Sequence, residues 1–308
     1  MKIGFIGLGT MGSSIAMNAI RGGLALSVHD LDPARAAPHL EAGAKWAENP
    51  RAAAAGADVI FTSLPGPAEV EAVALGDDGL RAGLTSGQAY FDLSTNSPTL
   101  MRRIHAIFAE HGVQTLDAPV SGGPDGARSG KLAIWIGGDQ ATFERCLPVL
   151  QAFSDQPTYV GPIGAGSIAK LVHNCSGYII QTALAETFSL GVKAGLDAEA
   201  LWQAVRQGAL GRRRTFDHMA RQYLPRRFEP ADFALALAHK DVGLAVALGR
   251  ELDVPMRLAN LTLEEMTEAM NRGWSNRDSR TAMLLQEERA GVEVAVPAGR
   301  IEAILNED

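Results

Sequence analysis

The feature that most constrains the fold is a glycine-rich run that directly follows an apolar segment at the start of the chain. Residues 2–7 read KIGFIG, and the run GLGTMG covers residues 7–12, ahead of a stretch with helical spacing. A strand that turns sharply into a helix needs glycine at Gly7 for the turn and at Gly12 for close packing of the helix on the sheet. At Gly9 the absence of a side chain allows a bound molecule to approach the backbone closely. The run therefore predicts the first strand-turn-helix unit of a doubly wound sheet.

The first half of the chain alternates β-rich apolar runs with segments of helical spacing. Strands that are apolar almost throughout are typical of a parallel sheet with helices on both faces. The spacing therefore predicts an α/β Rossmann domain over residues 1–162. After the first strand, the predicted strands cover residues 26–30, 58–64, 89–94, 114–120, 132–138 and 158–161.

The second half has helical spacing almost throughout, which predicts an all-helical domain over residues 163–308. Its first part, residues 163–194, is predicted to be one long interdomain helix that stops before Gly195. The tail, residues 291–308, contains VEVAVPAGRIEAIL, which suggests a short strand and a helix that pack on a partner subunit.

Composition and charge exclude several classes of function. The formal net charge is −7, and the longest basic run, Arg212 to Arg214, is too short for a nucleic-acid footprint. No apolar run approaches the roughly 20 residues that a membrane span requires. Cys146 and Cys175 have no metal or redox spacing, and the histidines form no zinc-binding pair. Because the first strand begins at once, no targeting segment is expected, and we expect a cytoplasmic protein.

The glycine run indicates a dinucleotide site. A glycine turn that opens a helix presents backbone N–H groups to a pyrophosphate, and Asp30, at the end of the second predicted strand, can bind a ribose. A 2′-phosphate would be repelled by Asp30 and Asp32, whereas Arg35 either reaches back to it or is solvated. We therefore predict NAD rather than NADP. The predicted loop contacts are Gly7, Leu8, Gly9, Thr10, Met11 and Gly12.

A lysine on an otherwise apolar helix is the candidate catalytic group. In the predicted long helix, Asn174 follows Lys170 by one turn, so the two side chains share a face. A lysine near a helix start commonly extends its ammonium group into water. Hydride transfer to a carbonyl, however, needs a group that protonates the developing alkoxide, and burial lowers a lysine pKa toward that role. None of the four tyrosines has a lysine four residues later, so a short-chain-reductase pair is absent.

Four segments together resemble the β-hydroxyacid dehydrogenase family, which includes 3-hydroxyisobutyrate dehydrogenase and tartronate semialdehyde reductase. They are IGFIGLGTMGSSIAMNAI (3–20), DAPVSGG (117–123), GAGSIAKLVHN (164–174) and FALALAHKDVGLA (233–245). The resemblance implies a Rossmann domain, a long interdomain helix, a helical domain and a homodimer or homotetramer. It also implies NAD(P)-dependent oxidation of a small β-hydroxy acid, similar to 3-hydroxyisobutyrate, to its semialdehyde, or the reverse reduction.

The resemblance also assigns site residues. Lys170 matches the catalytic lysine, and Asn174 matches the asparagine that orients or polarises the substrate. Lys240 matches a lysine near nicotinamide and substrate, although without the family an exposed Lys240–Asp241 charge pair would be preferred. The loop that holds the substrate carboxylate matches Ser121, Gly122 and Gly123, and the positions beside the cofactor match Leu64, Pro65 and Thr95.

The chain departs from the family pattern at three places, one of which is the tail, residues 291–308, which runs past the usual family end. His173 replaces a second asparagine, and we interpret it as a packed histidine or a neighbour of the substrate-binding groups. The segment 208–216, with Arg212 to Arg214, replaces a small polar stretch; its arginines either face solvent or bind an extra carboxylate. Phe233, His173 and Arg212 are candidates for reading the substrate's substituent. Two alternatives stay open, an imine-reducing enzyme, whose relatives lack the lysine, and a non-catalytic NAD-binding sensor.

Overall fold

The computed structural model describes residues 1–208, 211, 219–251, 253 and 255–306. The chain divides into two compact units, residues 1–172 and residues 173–308. Among the described residues, no helix combines the length and the apolar character that crossing a membrane requires.

The first unit, all of whose residues are described, is built on a nine-stranded sheet. The strands are β1 (Lys2–Ile6), β2 (Ala25–His29), β3 (Lys45–Trp46), β4 (Val59–Thr62), β5 (Ala89–Asp92), β6 (Gln114–Asp117), β7 (Val120–Ser121), β8 (Leu132–Gly137) and β9 (Ser154–Gly161). Their order in the sheet is β3-β2-β1-β4-β5-β6-β8-β7, with β9 beside β8; β1 to β6 are parallel, and β8 runs antiparallel to β6 and β7. The succession 3-2-1-4-5-6 is that of a doubly wound Rossmann sheet.

Helices cover both faces of this sheet, and apolar clusters fill the space on each side. Local sequence explains several helix starts: Asn49, Ser97 and Asp139 each accept a hydrogen bond from a first-turn N–H as N-cap residues. The helices are α1 (Thr10–Arg21), α2 (Ala37–Glu41), α3 (Pro50–Ala54), α4 (Pro67–Leu75), α5 (Pro98–Ala109), α6 (Gly123–Ser129) and α7 (Gln140–Leu150).

The predicted α/β class is confirmed, with two differences in the strands. The predicted strand over 114–120 is interrupted, because Pro119 has no N–H for a sheet ladder and separates β6 from β7. The two-residue strand β3 was not predicted, since so short a segment carries no alternating pattern.

The second unit is helical, and the boundary between the units falls inside the helix α8 (Ala165–Lys193). The long predicted helix is therefore present, and Gly195, with φ +97°, follows its end. A buried cluster that includes Phe188, Trp202 and Tyr223 forms the core of this unit. The other helices are α9 (Ala198–Gln207), α10 (Leu235–Glu251), α11 (Arg257–Asn271), α12 (Leu284–Ala290) and α13 (Ala298–Asn306).

The C-terminal tail corrects one prediction. The helix α13 is present, but residues 292–296, all of which are described, form no strand. Val294 and Val296 instead enter the core of their own unit, where the Val296 N–H donates to the Leu224 carbonyl at 2.8 Å. Ile301 and Ile304 of α13 are buried in the same core. These four apolar side chains of the tail are thus covered by their own chain, whereas Leu305 is exposed.

Candidate active site

The glycine loop has the backbone geometry that its sequence predicts. Gly7 has φ +96°, and a Cβ at Gly7 or at Gly12 would overlap a backbone oxygen, so neither position accepts a side chain. At Gly9 an added Cβ would meet only the Arg35 guanidinium, at 3.7 Å. Gly9 also begins α1 without a side-chain cap, and the first N–H groups of a helix have no intrahelical partner. This cradle fits the pyrophosphate of a dinucleotide.

Asp30 follows β2 and is bound to the glycine loop. Its Oδ2 accepts a 2.6 Å hydrogen bond from the Leu8 N–H. Arg35 places Nε 4.0 Å from Asp30 Oδ1 and 3.5 Å from Asp32 Oδ2. The two placements considered for Arg35 are combined, because its side chain is 53% exposed while its guanidinium reaches back toward Asp30 and Gly9. Asp30 therefore fixes the glycine loop, and the guanidinium group of Arg35 lies beside its carboxylate.

The other predicted cofactor contacts follow the carboxyl ends of neighbouring parallel strands. Leu64 and Pro65 come after β4, and Thr95 comes after β5. The Leu64 N–H donates to Ser94 Oγ at 2.9 Å, which joins the two loops. Ligands of open α/β sheets bind at this edge, where the strand order reverses.

A buried carboxylate organises the loop after β5. Asp92 accepts hydrogen bonds from Thr62 Oγ1 at 2.8 Å, from the Ser94 N–H at 3.1 Å and from Asn96 Nδ2 at 2.8 Å. Burial raises the pKa of Asp92, and these donors oppose the rise. The loop that carries Thr95 is thus fixed on both sides of that residue.

The predicted carboxylate-binding loop contains two consecutive glycines with positive φ. Gly122 has φ +133° and Gly123 has φ +61°, a region that glycine adopts at little cost. Ser121 ends β7 and pairs with Ala133 of β8, so its backbone is held by the sheet. An added Cβ at Gly123 would meet nothing within 4 Å, so the backbone there is open to approach.

Lys170 lies in the second turn of α8 and is half-buried. The start of this helix is bound to the end of β6, where Asp117 accepts hydrogen bonds from the Gly164 N–H at 2.7 Å and the Ser167 N–H at 2.5 Å. Sequence reasoning missed Asp117 as a functional residue, although it opens the DAPVSGG segment.

In the second unit, Asn174 and Lys240 are brought together by Asp241. Asp241 is 1% exposed, and its Oδ2 accepts a 2.6 Å hydrogen bond from Asn174 Nδ2. Lys240 Nζ lies 2.8 Å from Oδ1, as an ion pair outside hydrogen-bond geometry. The Lys240–Asp241 pair therefore exists, but it is not the exposed pair considered from sequence. An acid in the middle of the apolar stretch LALAHKDVGLAVAL is the signal that could have identified Asp241.

The remaining predicted specificity residues are placed as follows. His173 is exposed on α8, so its interpretation as a packed histidine is wrong. Phe233 is 36% exposed, and its backbone N–H donates to Asp278 Oδ2 at 3.2 Å. Arg212, Arg213 and Arg214 lie outside the described residues.

Two family models match the chain and together cover most of it. The NAD binding domain of 6-phosphogluconate dehydrogenase matches residues 2–161. The model described as NAD-binding of NADP-dependent 3-hydroxyisobutyrate dehydrogenase matches residues 164–285. The tail from residue 286 onward lies beyond both matches.

Individual relatives agree with these models. The chain is 34% identical over 295 residues to 2-(hydroxymethyl)glutarate dehydrogenase of Eubacterium barkeri, covering 96% of this chain and 98% of the relative. It is 36% identical over 250 residues to 3-hydroxyisobutyrate dehydrogenase of Pseudomonas aeruginosa, covering 80% and 84%. A solved structure of Mycobacterium tuberculosis 3-hydroxyisobutyrate dehydrogenase with L-serine superposes with a TM-score of 0.82 at 29% identity, covering 92% of this chain and 98% of that one. The chain therefore belongs to the β-hydroxyacid dehydrogenase family of NAD(P)-binding oxidoreductases.

Proposed function

We propose that this chain is an NAD-dependent dehydrogenase that oxidises a small β-hydroxy acid to its semialdehyde, or catalyses the reverse reduction. The molecules named for its relatives share one chemical head group. Hydroxymethylglutarate, 3-hydroxyisobutyrate and L-serine each carry a hydroxymethyl group beside a carboxylate, and they differ in the substituent between the two. We infer that this head group is what the chain recognises.

The observation that carries the proposal is the fixed orientation of the Asn174 amide. A carboxylate has only acceptor atoms, so Asp241 selects the NH₂ side of Asn174. The second N–H of the Asn174 NH₂ group is then also fixed in direction, and it can donate to the oxygen of a substrate hydroxyl whose proton goes to Lys170. Lys170, one turn earlier on α8, is the basic group nearest along the same helix face.

In this mechanism Lys170 moves the proton and the loop holds the substrate. During oxidation the β-carbon loses a hydride, the hydroxyl loses a proton to the neutral amine of Lys170, and the C–O bond becomes a carbonyl. Bound NAD supplies the ring that accepts the hydride. The backbone N–H groups of Ser121 to Gly123 and the ammonium group of Lys240 bind the carboxylate.

Tyr178, one turn beyond Asn174, does not compete as the base. Burial, followed by the negative charges of Asp241 and Asp278, raises the pKa of Tyr178 well above its ordinary value. The phenol therefore stays protonated at neutral pH. The high pKa of Tyr178 thus favours Lys170 over this tyrosine as the proton acceptor.

The preference for NAD rests on the charge beside the ribose site. A 2′-phosphate would approach the carboxylates of Asp30 and Asp32, which repel it. Arg35 offsets part of this repulsion, so NADP is expected to work, but less well.

The decisive variant is Lys170→Ala. We expect a loss in kcat of at least the 10²- to 10⁴-fold that a general acid or base contributes, with NADH binding retained in a fluorescence titration. The panel comprises L-serine, 3-hydroxyisobutyrate, 2-(hydroxymethyl)glutarate, glycerate, threonate and 4-hydroxybutyrate, each with NAD and with NADP. Near-normal turnover by Lys170→Ala would refute the role of this lysine.

The same experiments separate the two other functions that the sequence leaves open. An imine-reducing enzyme would turn over cyclic imines and not the hydroxy acids, and the presence of Lys170 argues against it. A sensor would bind NADH without hydride transfer to or from any member of the panel.

Homodimer or homotetramer formation, which we also propose, is read from light scattering of the purified protein.

A further inference from the structure

Asp117 connects the substrate-binding segment to the helix of the proposed catalytic lysine. It is the last residue of β6, is 1% exposed, and stands four residues before Ser121. Its two oxygens are divided between two backbone donors at the start of α8, Gly164 N–H on Oδ1 and Ser167 N–H on Oδ2. These are the N-cap and the third helical position, whose N–H groups have no partner inside a helix.

A carboxylate at this buried position loses favourable contact with water, and this desolvation disfavours its charged form. Burial raises the pKa of Asp117, and the N–H groups of Ser167 and Gly164 act against that rise. A neutral side chain could cap one N–H without this penalty. The carboxylate, in contrast, binds both donors at once and also interacts favourably with the positive end of the helix. Its charge therefore fixes the helix start more firmly than a local cap could.

The first turn of α8 is also closely fitted to the sheet. A Cβ added at Gly166 would overlap the Trp135 carbonyl and lie 2.6 Å from the Asp117 carbonyl. A Cβ at Gly137 would lie 2.5 Å from Asp117 Oδ1 and 2.8 Å from the Ala165 nitrogen. Since neither glycine leaves room for a methyl group, the turn cannot shift by much without losing both hydrogen bonds to Asp117.

Lys170 lies one turn beyond this anchored turn, and side chains on a helix lean toward its N-terminus. We propose that Asp117 is a positioning residue that fixes Lys170 relative to Ser121, Gly122 and Gly123 by binding the first turn of α8 to the end of β6. This inference rests on the proposed function of Lys170. Its consequence is that replacing this one buried side chain should change the distance between the bound carboxylate and the amine.

The test is a double-mutant cycle on the full chain. Asp117→Asn keeps the size of the side chain but can accept only on one atom, and we expect kcat to fall about 10- to 100-fold, as for the loss of one charge-assisted hydrogen bond, while KM for NAD changes less than threefold. In the Lys170→Ala background the same substitution should change the residual rate less than threefold, because no amine remains to be positioned. An equal fall in both backgrounds would overturn the inference.

Asp139→Asn is the control for loss of charge at a helix cap. Asp139, which is exposed, caps α7 in the same unit by accepting from the Thr142 N–H at 2.7 Å, and it does not contact α8 through that bond. Because asparagine caps a helix about as well as aspartate, this variant should leave kcat unchanged. Should Asp117→Asn fail to fold, Asp117→Ser, which is smaller and whose one hydroxyl oxygen cannot replace both carboxylate oxygens, should give a similar fall in kcat; unchanged kcat in a folded Asp117→Ser would equally overturn the inference. Retained turnover in Lys170→Ala alone would refute the proposed function instead.

Discussion

Replacing Asp241 with asparagine is expected to lower kcat about 10- to 100-fold while leaving NAD binding unchanged. The Asp241 carboxylate accepts one 2.6 Å hydrogen bond from Asn174 and stands 2.8 Å from Nζ of Lys240. A hydrogen bond to a charged group contributes about 1.5–3 kcal/mol, and each 1.4 kcal/mol in a barrier is about tenfold in rate. In Asp241→Asn the amide of Asn174 faces another amide, so either of its two orientations is satisfied and its NH₂ group is no longer held in the direction of the substrate.

The assay separates orientation from folding. Steady-state kinetics give kcat and both KM values, an NADH fluorescence titration gives cofactor affinity, and thermal unfolding gives stability. Glu287→Gln is the control, because Glu287 is another buried acid of the same unit and binds Arg226 at 2.7 Å. We expect that control to lose stability with kcat retained. Turnover of Asp241→Asn within twofold of the wild-type protein, or an equal loss in Glu287→Gln, would refute the reasoning.

Three further expectations concern the cofactor, pH and the tail. Asp30→Asn should raise kcat/KM for NADP relative to NAD by about tenfold, and adding Arg35→Ala should reverse the gain, measured with both cofactors. Burial raises the pKa of Asp92 in the folded state, so ionisation of this carboxyl disfavours folding. The wild-type protein should therefore lose stability, relative to Asp92→Asn, as the pH rises from the unfolded-state pKa of the carboxyl toward its folded-state pKa. Urea unfolding of both proteins measures this, and a difference in unfolding free energy that stays constant with pH would contradict it. Ile301→Ala should lower the free energy of unfolding by about 2–4 kcal/mol, and Arg300→Ala, whose ion pair with Glu199 is largely exposed, by less than about 1 kcal/mol.

The fold could be predicted because its signals are local and repeated. The apolar strands, the glycine turn at Gly7 and the stop at Gly195 are each encoded within a few residues. The strand predicted over 292–296 was wrong for the same reason. VEVAV alternates as an edge strand does, but Val294 and Val296 instead fill a core most of whose members come from far along the chain, and no local pattern records that.

Sequence can propose a site residue that acts through its own chemistry, but not one that acts through a distant partner. Lys170 and Asn174 are proposed from their spacing on one helix and from the family resemblance. Asp117, in contrast, binds the amide of Gly164, and Asp241 binds Asn174, 67 positions away. A buried acid looks the same in sequence as a solvated one, because what distinguishes it is a donor that the fold supplies.

Three buried acids therefore each hold a neighbouring segment or side chain proposed to act in catalysis, without taking part in the proposed reaction, and each should affect a different kinetic quantity. Asp92 fixes the loop of Thr95, so its loss should first raise KM for the cofactor. Asp117 fixes the helix start before Lys170, so its loss should lower kcat only while the lysine is present. Asp241 orients Asn174, so its loss should lower kcat in the Lys170→Ala background as well. If all three substitutions instead lowered one quantity in parallel with stability, the acids would be supporting the fold alone, and the separate roles derived from their donors would be wrong.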